Sequence, residues 1–178
     1  HIVFNLVFKK MKKKNYSELI NFVFNEHVSV AQETLKIIKK KLEKSSDIIS
    51  KSLTSGGTIF WCGNGGSAAD SQHIAAEFVG RFKKDRKPLR SIALTTDTSI
   101  LTCISNDYSF EEIFSRQLNA LGRKGDVLIA ITTSGESENI KRALIQAKKM
   151  KIKTIALLGK KGGVCKDHAD LSLIIPSH

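Results

Sequence analysis

Four short stretches of this sequence carry residue types that chemistry could use. The first is Gly63-Asn64-Gly65-Gly66-Ser67, which directly follows an apolar run and directly precedes a helical pattern. Glycines let a backbone turn tightly and approach a ligand closely, and the amides at a helix start can bind an anion. The same loop is equally readable as a plain strand-to-helix turn. It is neither a GxGxxG fingerprint nor a Walker loop, because no GK[ST] follows. The second stretch, Thr132-Thr133-Ser134-Gly135-Glu136-Ser137, again lies between an apolar run and a helical pattern. Hydroxyls around a glycine at a helix start suit a phosphate cradle. A helix cap at Ser137 is the alternative, but capping needs only one hydroxyl.

His73 and Glu77 form the third group, four positions apart and so on one helix face. An imidazole and a carboxylate projecting together suit a metal pair, or a base beside a proton carrier. Spacing alone equally allows a structural Glu77–Arg81 ion pair. The fourth group is Asn106 and Asp107, just before the helix that contains Arg116 and Gln117. They could hydrogen-bond sugar hydroxyls or be structural, and the sequence alone does not decide between these.

The elements that must position these groups follow from hydrophobic patterning. Of the β-type runs at 58–62, 91–95, 127–131, 154–158 and 171–175, most are nearly continuous in apolar residues, as in strands covered on both faces. Helical patterns at about 68–82, 109–121 and 137–150 separate them. Alternating strands and helices imply an α/β fold, a parallel sheet of about five strands flanked by helices. Ligands of such sheets bind at the carboxyl ends of strands, which singles out the first two loops. Residues 16–53 read as helix, with an apolar stripe of Ala31, Leu35, Ile38, Leu42, Ile49 and Leu53 among lysines. Glu26–His27 is read as a break between two helices. The organisation expected is an upstream extension over 1–10 with Met11 as the natural start, a helical arm over 11–55, and one α/β domain over 56–178.

Composition narrows the function classes. The 178 residues are 41% hydrophobic and 26% charged, ordinary for a globular domain. No apolar run reaches the roughly 18 to 20 residues of a membrane span. The apolar-then-basic opening reverses the order of a signal peptide, so a cytoplasmic location is expected. Cys62, Cys103 and Cys165 are far apart and form no CxxC pair, which argues against a disulfide framework and a structural zinc site. Cys62 and Cys103 lie in apolar stretches and are expected to be buried thiols. The formal charge of +12 comes largely from lysines at 9–14, 39–44 and 148–153. No aromatic residues interleave with them as a base-stacking surface would require, so a solvated lysine-rich surface is favoured over nucleic acid.

Longer stretches then show a family likeness. CGNGGSAADSQHIAAEFVGRF (62–82), ALTTDTSILTCISNDYSFEEIFSRQ (93–117) and GDVLIAITTSGESENI (125–140) closely resemble the bacterial phosphoheptose isomerases, which are built on sugar isomerase (SIS) domains with a flavodoxin-like sheet. The likeness continues more loosely to residue 177. It implies conversion of sedoheptulose 7-phosphate to D-glycero-D-manno-heptose 7-phosphate through an enediol, for surface polysaccharide such as lipopolysaccharide or capsule. It also implies a homotetramer with sites at subunit interfaces, and no nucleotide cofactor. By matched motif, Asn64, Gly65, Gly66 and Ser67 contact the substrate, Thr132, Thr133, Ser134 and Ser137 hold its phosphate, and Asn106 and Asp107 bind hydroxyls. His73 and Glu77 match zinc ligands in members that carry one zinc ion per subunit, with Glu77 also the catalytic base.

Two departures stand out. Thr132 replaces a serine common in the family, keeping the hydroxyl. The family's RIQExH segment, which supplies a glutamine and a histidine on a C-terminal helix, has no counterpart before the sequence ends at Pro176-Ser177-His178, so those roles go unassigned. Three other readings are open: a non-catalytic SIS scaffold for a replication initiator protein, an inactive sugar-phosphate-binding copy, and a sugar-phosphate-sensing regulator. The missing C-terminal segment would suit the first two. The isomerase-like GNGGS and TTSGES loops argue against the scaffold. Residues 1–55 make no convincing helix-turn-helix for the regulator.

Overall fold

A computed structural model describes residues 16–177. The proposed extension at 1–10, the first residues of the arm and His178 lie outside the described residues. The chain divides into two compact units, 1–39 and 40–178. The first unit is described only as helix. That helix, α1, runs without interruption over Tyr16–Thr54, which corrects the expected break at Glu26–His27. The physical reason is that neither glycine nor proline occurs between residues 16 and 54. Glu and His cost little inside a helix, so nothing stops it.

In the second unit five strands form one sheet: β1 (Ile59–Gly63), β2 (Ser91–Ala93), β3 (Val127–Thr132), β4 (Lys153–Leu158) and β5 (Leu171–Ile174). Their order is β2-β1-β3-β4-β5, and every pairing is parallel. Four helices connect them, α2 (Gly66–Val79), α3 (Thr98–Asp107), α4 (Ile113–Leu121) and α5 (Glu138–Lys149), with short 3₁₀ turns at Phe110–Glu112 and Val164–Asp167. This is the flavodoxin-like order, in which the chain runs outward from β1 in one direction and from β3 in the other. The crevice at that reversal opens between the carboxyl ends of β1 and β3.

Strand periodicity explains why both faces are apolar. Side chains alternate across a sheet. Phe60, Cys62, Leu128, Ala130, Ala156 and Leu158 share one face and join a core with Phe114 and Leu118 of α4 and Ile140, Ala143 and Leu144 of α5. Ile59, Trp61, Val127, Ile129 and Ile155 point the other way and are also buried. There Trp61 meets Phe78 of α2 edge-on, with ring centroids 5.7 Å apart, and its indole N–H donates to Ser91 Oγ at 2.8 Å. The segment 95–105, to which residue pattern assigns no element, is largely the helix α3. Its run of Thr, Ile and Cys weakens the helical signal, but Asp97 caps it by accepting from the Ile100 amide at 2.9 Å.

The amino ends of the strands are tied by a buried carboxylate. Asp126, 1% exposed, accepts from the Thr58 amide and the Arg123 amide, each at 2.8 Å. It thereby joins the starts of β1 and β3 and fixes their register. Asp126→Ala leaves the buried Thr58 amide and the half-buried Arg123 amide without partners and is expected to cost about 3 kcal/mol. A lowered urea midpoint checks this. A midpoint equal to the parent's would remove Asp126 from this role.

Candidate active site

Both chemistry-bearing loops leave the sheet at the same level. Gly63 pairs with Ile131 in the β1–β3 register, so Asn64 and Thr132 begin their loops side by side in the crevice. A side chain at Gly63 would meet the Ser67 carbonyl oxygen at 2.6 Å, and Gly65 has φ +54°. These two glycines therefore allow the chain to fold back and start α2 at once. The Ser67 amide donates to the Asn64 carbonyl and the Ala68 amide to the Gly65 carbonyl, both at 3.0 Å.

The second loop is organised by its own hydroxyls. Thr132 Oγ1 is buried at the end of β3 and accepts from the Gly135 amide at 3.2 Å. It lies 3.3 Å from Ser137 Oγ and 3.5 Å from Ser134 Oγ, and Ser134 Oγ accepts from the Glu136 amide at 3.1 Å. Three of the four predicted hydroxyls thus converge, while Thr133 is exposed beside them. Ser137 occupies the N-cap position of α5 but makes no side-chain cap bond. Its hydroxyl serves the cluster instead of the helix end, contrary to the capping alternative. Gly135, at φ +73°, presses against the next loop, where an added Cβ would lie 2.1 Å from the Gly162 carbonyl oxygen. The Cys165 amide closes that contact by donating to the Gly135 carbonyl at 2.9 Å.

Sequence reasoning missed the residue that joins the two loops. Asn139, in the first turn of α5 and 2% exposed, exchanges two hydrogen bonds with Asn64, each amide donating to the other's oxygen at 2.9 Å. Its only sequence signal is an amide at an otherwise apolar, inward-facing helix position. Nearby, Arg142 pairs with Glu138 and with Glu112, bracing the amino end of α5 against the 3₁₀ turn. Hydrogen bonds from Ser115 and then Arg142 hold the Glu112 carboxyl below the usual carboxylate range.

His73 and Glu77 do come together, with His73 Nε2 3.4 Å from Glu77 Oε1, so Glu77 is partnered by His73 rather than by Arg81. They line a groove of about 370 Å³ with Ile74, Phe78, Phe82, Arg86 and Leu89. Arg86, also missed, caps the end of α2 by donating to the carbonyls of Glu77, Phe78 and Gly80. The structure does not bring this pair to the loops within one chain. Ten residues of helix separate Glu77 from Ser67, a rise of about 15 Å, and α2 descends toward the amino ends of the strands, where Phe78 accepts from the Leu89 amide. As zinc donors the two residues fit in type, and 3.4 Å matches the spacing of two ligands around a tetrahedral ion with bonds of about 2.0–2.1 Å. They are half of such a set: among the described residues no group of three or more His, Cys, Asp or Glu could hold a metal.

Asn106 and Asp107 end α3 instead of preceding a helix in a loop. Asn106 Nδ2 donates to Asp107 Oδ1 at 2.8 Å. That bond first, then one from Cys103, holds the Asp107 carboxyl below its ordinary range. Asp107 lines a separate groove of about 610 Å³ with Ser99, Cys103 and Arg116, where the Arg116 guanidinium stacks 3.6 Å above the Tyr108 ring. No hydrogen bond or ion pair links it to either loop among the described residues. Cys62 is buried as expected, but Cys103 is exposed. The apolar residues around Cys103 belong to a surface helix that turns only Ile104 fully inward.

The fold and the latched loops define a class, the SIS domain, whose family model matches residues 24–159. The chain is 53% identical to a phosphoheptose isomerase of a Nitratiruptor species over 152 residues, covering 85% of this chain and 81% of that one. It is 49% identical to one from Campylobacter jejuni (serotype O:6) over 162 residues, 89% and 87% of the two chains. The solved phosphoheptose isomerase of Neisseria gonorrhoeae superposes with a TM-score of 0.87 at 41% identity, covering 92% of this chain and 88% of that one. The chain belongs to the phosphoheptose isomerase family.

Two tests follow from this packing. Gly135→Ala forces a side chain into a left-handed backbone position against an unyielding carbonyl, and is expected to lower stability by about 1–3 kcal/mol or more in urea unfolding. Unchanged stability would mean that the two loops are not in contact. A thiol reagent should label Cys103 in the folded protein and spare Cys62 and Cys165. Labelling of Cys103 should be slow for an exposed thiol, because its hydrogen bond to Asp107 and that residue's charge push its pKa up. Equal labelling of all three would contradict this burial.

Proposed function

We propose that this chain interconverts sedoheptulose 7-phosphate and D-glycero-D-manno-heptose 7-phosphate. The observation that carries the reading is the converged Thr132–Ser134–Ser137 hydroxyl cluster at the reversal point of the sheet, in a chain of this family. In this reading Thr132, Thr133, Ser134 and Ser137 take the phosphate, aided by amides at the start of α5. Asn64, Gly65, Gly66 and Ser67 take the sugar; Asn106 and Asp107, which lie at a separate groove of this chain, would bind hydroxyls only of a sugar held against a second copy. The hydroxyls and amides grip the phosphate by hydrogen bonds, and the protein's net charge of +12 supplies attraction at long range.

Isomerisation moves one proton between neighbouring carbons. The Glu77 carboxylate takes the proton from C1 of the ketose, leaving an enediol, and returns it to C2 to give the aldose. Proton exchange between the two oxygens needs a second acid–base group, which is not assigned to any residue of this chain. His73, 3.4 Å from the carboxylate, orients it. When zinc is bound, His73 and Glu77 supply two of its donors and the ion polarises the substrate oxygens.

The separation of Glu77 from the loops along α2 supports a site completed by a second copy, as in the homotetramer with interfacial sites. Heptose supply for lipopolysaccharide or capsule in the cytoplasm is the setting this activity suits. None of the described helices is long and apolar enough to cross a membrane. The relatives above are isomerases by name, and none supports the scaffold reading.

NMR of the chain with sedoheptulose 7-phosphate is expected to show an aldose signal growing in. Its absence, with no line broadening of the sugar, would overturn the proposal. Glu77→Gln should abolish turnover while substrate still binds, and retained turnover would remove Glu77 as the base. Ser134→Ala should weaken binding by about 1–3 kcal/mol. An unchanged dissociation constant would count against the cradle.

A further inference from the structure

The geometry points to Asn139 as a positioning residue that acts through Asn64 to hold the glycine loop in register with the hydroxyl loop. This inference rests on the site reading above and adds a residue to it. Four observations carry it.

First, Asn139 is 2% exposed and sits in the helix immediately after the hydroxyl cluster, yet its side chain takes no part in that cluster. Both of its side-chain bonds go to Asn64, 75 positions earlier in the chain. Second, the pair is reciprocal. Each amide satisfies one donor and one acceptor of the other, so loss of Asn64 strands the buried Asn139 amide, and loss of Asn139 removes the tether of the half-buried Asn64. Third, the other bonds to this loop come from its own turn and helix, the Ser67 and Ala68 amides on the Asn64 and Gly65 carbonyls and the Ser71 hydroxyl on the Ser67 carbonyl. The Asn139 amide ties it to the neighbouring helix. Gly65 and Gly66 are exposed, and an added Cβ on either would meet nothing within 4 Å. Glycine gives the loop freedom that must be removed before a ligand can be gripped. Fourth, the hydroxyl loop is anchored independently, through the contact of Gly135 with Gly162 and Gly163 and the Cys165 amide.

These facts assign the two ends of one ligand to two differently supported loops. The hydroxyl loop keeps its shape without Asn139, whereas the glycine loop depends on it for position. Loss of the amide should therefore spoil the grip on the sugar and spare the grip on phosphate. A residue that mattered only for folding would weaken both alike.

A double-mutant cycle tests this, using Asn64→Ala, Asn139→Ala and the pair on the full chain. Turnover of sedoheptulose 7-phosphate is measured beside the dissociation constant of inorganic phosphate. Asn139→Ala is expected to lower kcat/KM about tenfold or more, with the phosphate constant unchanged within about twofold. The double variant should be no worse than Asn64→Ala, because both changes break the same contact. Losses that multiply, a phosphate constant that worsens in step with kcat/KM, or an Asn139→Ala enzyme as active as the parent would each overturn the inference. If Asn139→Ala does not fold, Asn139→Leu replaces the side chain at similar volume without its amide. Hydrogen exchange at the Ser67 and Ala68 amides reads the latch without any need for activity. Those amides should exchange about tenfold or more faster in the variant while β3 stays protected. Unchanged exchange would overturn the latch. A parent chain that shows the latch by exchange but does not turn over the sugar would instead overturn the isomerase reading alone.

Discussion

Everything at the site depends on the parallel register of β1 against β3. Pairing Gly63 with Ile131 brings two loops, 68 positions apart from Asn64 to Thr132, out of the sheet at one level. Asp126 pins the other end of the same pair of strands through the Thr58 amide. A slip of one residue would turn the buried alternation of Phe60, Cys62, Leu128 and Ala130 to the opposite face. Core packing and site geometry are therefore set by one constraint, and the core enforces it.

Support for the site is unequal from part to part. The hydroxyl loop is wedged by backbone contact at Gly135 and by its internal bonds, which suits a rigid anion cradle. The glycine loop is held from outside, by the Asn64–Asn139 pair. The His73–Glu77 pair rides on a helix fixed at one face by Trp61 against Phe78 and at its end by Arg86. Preorganisation of this kind lowers the entropic cost of gripping a flexible sugar, because the protein groups are already placed.

Much of the fold was legible in the sequence. The three central strands, buried on both faces, write nearly continuous apolar runs. All five runs end within a residue or two of the observed strands, although the edge strands β2 and β5 are only partly buried. Helix α3 was not legible, because threonine, isoleucine and cysteine carry no clear helical period and only the Asp97 cap reveals the start. The break expected at Glu26–His27 failed for the opposite reason: a local pair of polar residues does not end a helix that lacks glycine and proline. Cys103 was misjudged because neighbours in sequence are apolar without being inward-facing.

By itself the sequence determined the chemistry on offer: hydroxyls and glycines in two strand-end loops, an imidazole and carboxylate one turn apart, and a parallel α/β frame to carry them. Residue type and short-range spacing encode such features directly. Tertiary structure alone decided which groups meet. It joined Asn139 to Asn64 across the crevice, assigned Arg86 to the end of α2, and set Glu77 well down that helix from the loops. These are contacts between residues distant in sequence, or consequences of the direction a helix takes from the sheet, and no local pattern records either one.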